Sequence, residues 1–102
     1  MNKSKVYFTK EITSESLVKI YEALGIELKG NVGVKLHSGE KGNQNYLRPD
    51  FMKELIDKVG GTVIECNTAY DGARNTTEKH KELMKEHEWD KYYKVDIMDS
   101  EG

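Results

Sequence analysis

The sequence is short of the residues that would assign it to several protein classes. It holds one cysteine and one proline in 102 residues. A lone thiol forms no internal disulfide and cannot supply the four thiolates of a structural zinc or iron-sulfur site, so nothing in the chain requires an oxidising compartment. No run of about 18 apolar residues exists, and the opening MNKSKVYFTKEI has a basic start without the apolar core of a secretory signal. Membrane spanning and secretion are therefore not expected; a cytoplasmic location is. Charge of one sign is lacking as well. Sixteen Lys plus Arg against eighteen Asp plus Glu leave a formal charge of -2, which provides no global field for nucleic acid or an anionic membrane. Any charge-based recognition has to be local. What is present, 36% hydrophobic and 33% charged residues without repeats or low-complexity tracts, suits one soluble domain with a modest core.

Hydrophobic periodicity alternates between two values along the chain. Lys5 to Thr9, KVYFT, is β-branched and aromatic and reads as a strand. Ser14 is placed to cap a helix in which Leu17, Ile20, Tyr21 and Leu24 share one face, with Gly25 as its stop. Asn31 to Leu36 alternates Val32, Val34 and Leu36 with Gly33 and Lys35, a period of two that predicts a second strand. Pro49 suits the first turn of a helix, where its missing N–H costs nothing, and Met52, Leu55, Ile56 and Val59 form the stripe. Thr62 to Cys66 follows Gly60 and Gly61 as a third strand. A charged helix begins near Asn75, whose side chain with Glu78 matches a capping box, and Tyr92 to Met98 reads as a fourth strand.

Strands separated by helices of roughly 10 to 14 residues predict βαβ crossovers. The expected fold is α/β, a three-layer βαβαβαβ arrangement with a mainly parallel four-stranded sheet, in which Val32, Val34, Leu36, Val63, Ile64, Val95 and Ile97 are covered on both faces. Three helices are few for two faces. The chain is therefore expected to be a fragment of a larger α/β domain.

Open parallel sheets bind ligands beyond the carboxyl ends of their strands. The polar and Gly-rich segments fall on that edge: Thr9 and Lys10, His37 to Asn45, Asn67 to Asn75, and Asp99 to Glu101. The loop HSGEKGNQNYLRP carries His37, Glu40, Lys41 and Arg48 around Gly39 and Gly42, a composition able to wrap N–H groups about an anion, although it is neither a Walker loop nor a dinucleotide fingerprint. In the next loop, Arg74 could fork a carboxylate or phosphate, or equally pair with Asp71. His80 and His87 lie about 10 Å apart along one helix face, which suits packing better than chelation of one ion. Cys66, at a strand end, reads as a small hydrophobe, with a thiolate nucleophile as the bolder alternative.

The run VGVKLHSGEKGNQNYLRPDFMKELID, followed by NTAYDGARNTTEKH, resembles the N-terminal part of the domain of unknown function 362 family. That pattern has a strand ending in KxHFGE, an RP-initiated helix, and a Y-x-G-x-R loop before a helix with a histidine. Here it falls on Lys35, His37, Gly39, Glu40, Gly42, Arg48, Pro49, Tyr70, Gly72, Arg74 and His80. Ser38 stands where the family usually has an aromatic residue, and Glu88 where a Gly often follows the histidine. The resemblance implies that this chain is the leading part of a longer parent protein, whose C-terminal region is missing here and in many relatives carries cysteines for [4Fe-4S] clusters, with no cofactor in this chain. It also places Asp99, Glu101 and Gly102 at a D-G-containing turn. Two functions follow as expectations. One is an anion-binding part of a redox protein, with Lys35, His37, Glu40, Arg48, Tyr70 and Arg74 gathered at the strand edge. The other is a non-catalytic interaction domain.

Overall fold

A computed structural model describes residues 2–98. The elements run α1 (Ser14–Ala23), β1 (Val32–Lys35), α2 (Pro49–Val59), β2 (Gly61–Cys66), α3 (Thr77–Glu86), the single turn α4 (Trp89–Tyr92) and β3 (Val95–Met98). The strands form one parallel sheet in the order β1-β2-β3, with Val34, Val63 and Val95 in register. The fold is thus α/β. No helix of the described residues is long and apolar enough to cross a membrane.

Local chemistry explains the helix limits. Thr13, not Ser14, caps α1: its hydroxyl accepts from Ser16 N–H while the Ser16 hydroxyl accepts from Thr13 N–H. The Ser14 hydroxyl instead donates to Phe51 O at 2.8 Å, tying the start of α1 to the start of α2. Pro49 opens α2 as expected, and Gly60 closes it at φ 62°, a left-handed conformation that glycine adopts without penalty. Thr76 rather than Asn75 caps α3, accepting from Lys79 N–H. Asn75 donates to Asp71 instead.

Two residues past α3, just before α4, stands Glu88, the one non-glycine described at positive φ, 65°. Its Cβ crowds the following carbonyl there. Glu88→Gly is expected to raise unfolding stability by about 0.5–1 kcal/mol, because relief of that crowding outweighs the added freedom of the unfolded chain. Thermal melts of the two proteins check this.

Four expectations are corrected. Residues 5–9 form no strand: Val6 and Phe8 stand 88% and 81% exposed. Strand propensity without a neighbouring backbone to pair with makes no sheet. The sheet of the described residues therefore has three strands, not four. It is also two-layered rather than three-layered. Because parallel crossovers keep one hand, an order that advances in a single direction puts every crossover helix on the same face. Val63, Glu65 and Ile97 are buried on that face, whereas Ile64 is half-buried and Cys66 exposed on the other. Of the residues expected in the core, Leu36, Val63 and Ile97 are buried; Val32, Val34, Ile64 and Val95 are half-buried. The strand expected over 92–98 begins only at Val95, since α4 turns Trp89 inward, where it joins Met52, Ile56, Met84 and Tyr93 in the core. Burial pushes the Tyr93 hydroxyl well above the usual phenol range, and it donates to Pro49 O. Asp99, Glu101 and Gly102, expected at a turn, lie outside the described residues.

Candidate functional site

The carboxyl end of β1 is held rigidly. Leu36 and Ser38 point into the protein while His37 between them faces out. The Ser38 carbonyl accepts two hydrogen bonds, from His87 Nδ1 and Trp89 Nε1, both at 3.0 Å, and Ser38 N–H donates to Glu65 Oε2 at 3.3 Å. A carbonyl only accepts, so His87 carries its proton on Nδ1. Gly39 follows at φ 103°, and a Cβ there would stand 2.6 Å from Tyr46 Cβ. Only glycine lets the chain pass beneath the Tyr46 ring, which stacks on His87 at 4.0 Å between centroids.

Behind this loop lies a charged network. Glu65, 1% exposed, accepts from Arg74 Nη1 at 2.5 Å through one oxygen and faces His80 Nε2 at 3.1 Å through the other. His80, fully buried, also contacts Asn67 Oδ1 at 3.1 Å. Arg74, 5% exposed, reaches outward as well. Its Nε and Nη2 both donate to Glu40 Oε1, and Nη2 lies 3.0 Å from His37 Nε2 and 3.1 Å from the Tyr70 hydroxyl. Tyr70 in turn donates to Glu40 Oε1 at 2.7 Å. The result is a layered site, with Glu65 and His80 at the bottom, Arg74 through the middle, and His37, Glu40 and Tyr70 at the rim.

Charge explains the titration behaviour. Hydrogen bonds from Arg74 and then Tyr70 hold the Glu40 carboxyl below its ordinary range despite its partial burial. Burial alone would pull Arg74 down, yet the hydrogen bond and charge of Glu40 and the charge of Glu65 outweigh it and hold the guanidinium above its ordinary value. A carboxyl lowered in the folded state adds stability that is full above its unfolded value and lost as pH falls through the folded one. The stability gap between the native protein and Glu40→Gln is therefore expected to be constant near neutrality and to close below about pH 4.5. Denaturant titrations at stepped pH measure this.

Of the six expected site residues, His37, Glu40, Tyr70 and Arg74 come together, and Lys35 and Arg48 stand apart from them. Arg74 pairs with Glu40 and Glu65 rather than Asp71, so its guanidinium is engaged by protein carboxylates. Arg48 lies over the Tyr46 ring at 3.9 Å and donates to Gln44 O. Lys35 Nζ donates to Leu36 O at 3.2 Å. Lys35 and His37 nevertheless line one open cleft of about 500 Å³, walled by Leu36, Tyr46, Leu47 and Met52 and edged by Asn43 and Asn45.

Glu65 and Trp89 are not among the residues expected at the site, and Ser38 is expected there only as a departure from the family pattern. The signal for Glu65 was in the period of two: in TVIEC it shares parity with Val63, so the strand that buries one must bury the other. No equivalent signal marks Ser38 or Trp89, whose roles depend on contacts 51 positions apart in sequence. Among the described residues no group of three or more His, Cys, Asp or Glu side chains is arranged to hold a metal ion. Comparisons with protein-family models, with curated proteins and with solved structures found no match.

Proposed function

We propose that this chain binds a small anionic ligand at the carboxyl end of β1, in the cleft lined by Lys35 and His37. The observation that carries this reading is the pairing of a flexible cation and an imidazole on one apolar-walled cleft, with the imidazole backed by a buried arginine. A carboxylate or phosphate there would accept a charge-assisted hydrogen bond from Lys35 Nζ and further bonds from Asn43 and Asn45, while Leu47 and Met52 cover its apolar part. Arg74 serves as a positioning residue, since its donors are directed at Glu40, Glu65, His37 and Tyr70.

The motif resemblance to the domain of unknown function 362 family extends the proposal to a redox setting, in which the ligand site lies beside an electron-transfer centre. A [4Fe-4S] cluster takes four thiolates, and Cys66, solvent-exposed at the end of β2, is the single cysteine of this chain. The residues present do not fit such a cluster, and no step is routed through one. The second reading, an interaction domain, is favoured by the uncovered sheet face around Gly33, Thr62, Ile64 and Asp96, which another part of a longer protein would cover.

Titration of the isotope-labelled chain with inorganic phosphate and with acetate, followed by amide NMR, tests the first reading. Saturable shifts confined to Lys35–Gly39 and Asn43–Leu47 are expected, and Lys35→Ala should weaken binding at least about tenfold, the loss of one charge-assisted hydrogen bond. Shifts that chloride reproduces equally well, or an unchanged affinity in Lys35→Ala, would overturn it.

A further inference from the structure

Three apolar surfaces away from the cleft are each left half-finished. Val6 and Phe8, at alternate positions of the 5–9 segment, are almost fully exposed. On the sheet, β1 is an edge strand whose Val32 and Val34 are only half-buried. Finally, α1 buries no apolar residue at all: Leu17, Ile20 and Tyr21 are half-buried, Leu24 is 48% exposed, and Ser16 is its one buried side chain. A strand laid along the β1 edge would finish all three, because its inward side chains would continue the Val32 and Val34 row toward the flank of α1.

Direction favours the same arrangement. The start of α1 is bonded to the start of α2 through Ser14, and their ends are joined by Glu22 and Lys58 at 3.0 Å, so the two helices run side by side in one sense. Hence α1 begins at the carboxyl edge of the sheet, and a strand leading into it would run parallel to β1. The way the segment leaves α1 is fixed, since the Ser16 hydroxyl donates to Glu11 O at 2.7 Å and Glu11 N–H donates to Thr9 Oγ1 at 3.1 Å. The radius of gyration of 15.4 Å exceeds the value of about 13 Å expected for a compact chain of this length, and the long dimension is 45 Å against 29 Å in the others. Both fit a segment held outward from its own sheet.

We infer that two copies of this chain exchange residues 5–9, each segment adding as a parallel fourth strand to the β1 edge of the other copy. A second copy is the occupant because one molecule carries both the free strand and the free edge. Reciprocal exchange closes with twofold symmetry and leaves neither exposed. This inference does not depend on the anion cleft.

The test joins light scattering to amide hydrogen exchange over a range from micromolar to millimolar protein. A dimer should form as concentration rises, with slowed exchange at the edge-facing amides of Val32–Lys35 appearing in step. The double variant Val6→Asp, Phe8→Asp should raise the dimer dissociation constant at least about tenfold, since both apolar side chains are buried by the exchange. Its melting temperature at micromolar concentration should be unchanged, because neither side chain packs in the single copy. A monomer at every concentration overturns the inference. So does β1 protection that is independent of concentration at monomer mass, which would mean that the segment folds onto its own edge. A dimer unaffected by the double variant would overturn it too, placing the interface elsewhere.

Discussion

Arg74→Met is expected to lower unfolding stability by about 3–5 kcal/mol, a large fraction of the 5–15 kcal/mol that a domain of this size commonly has. Glu65 is 1% exposed and meets two side chains, Arg74 and His80, with one further bond from Ser38 N–H. Removing the guanidinium leaves a carboxylate with no water to replace it, and the penalty is that of an uncompensated buried charge. It also releases Glu40 and Tyr70 from the rim. The pair as such need not be stabilising, because its members lose hydration on burial. Arg74→Met combined with Glu65→Leu should therefore recover a large part of the loss. Arg74→Lys should fall between, since an ammonium keeps the charge but cannot donate in several directions from one plane. Denaturant unfolding of the four proteins measures these differences. An Arg74→Met protein as stable as the native one, yet weaker in phosphate binding, would mean that the guanidinium meets the ligand directly.

Trp89→Ala should cost a similar 3–5 kcal/mol, by a different route. Trp89 is fully buried at the turn between α3 and β3, where its ring closes the core against Met84 and Tyr93 and its Nε1 donates to Ser38 O. Truncation leaves a cavity that neighbours fill only in part. Trp89→Phe separates the two contributions. Most of the packing is retained and one donor is lost, so about 1 kcal/mol is expected, because His87 still serves the same carbonyl. The functional consequence is the more informative one. Ser38 sits between His37 and Gly39, so loosening its carbonyl should weaken anion binding in the Lys35 cleft even in the mild Phe variant. Chemical denaturation together with a phosphate titration measures both. A Phe variant with native affinity would separate the loop anchor from the cleft.

The sequence by itself determined the α/β class, the parallel sense of three strands, the boundaries set by Pro49, Gly25 and Gly60, and the delivery of the loops after β1 and β2 to one edge of the sheet. These follow from local rules: period two or 3.6, missing N–H groups, positive φ, and crossovers that deliver successive loops to one edge. It failed where the outcome hangs on a partner distant in sequence. Residues 5–9 have strand composition, but a strand is defined by the backbone beside it, and none is there in a single copy. The second covered face was expected because half-apolar strands look the same whether one side or two are packed; only the order β1-β2-β3 decides that the crossover helices share a face. Tertiary structure likewise decided that Arg74 turns from Asp71 to Glu40 and Glu65, residues 34 and 9 positions away, since opposite charges brought together inside the protein outweigh a solvated neighbour in the same loop.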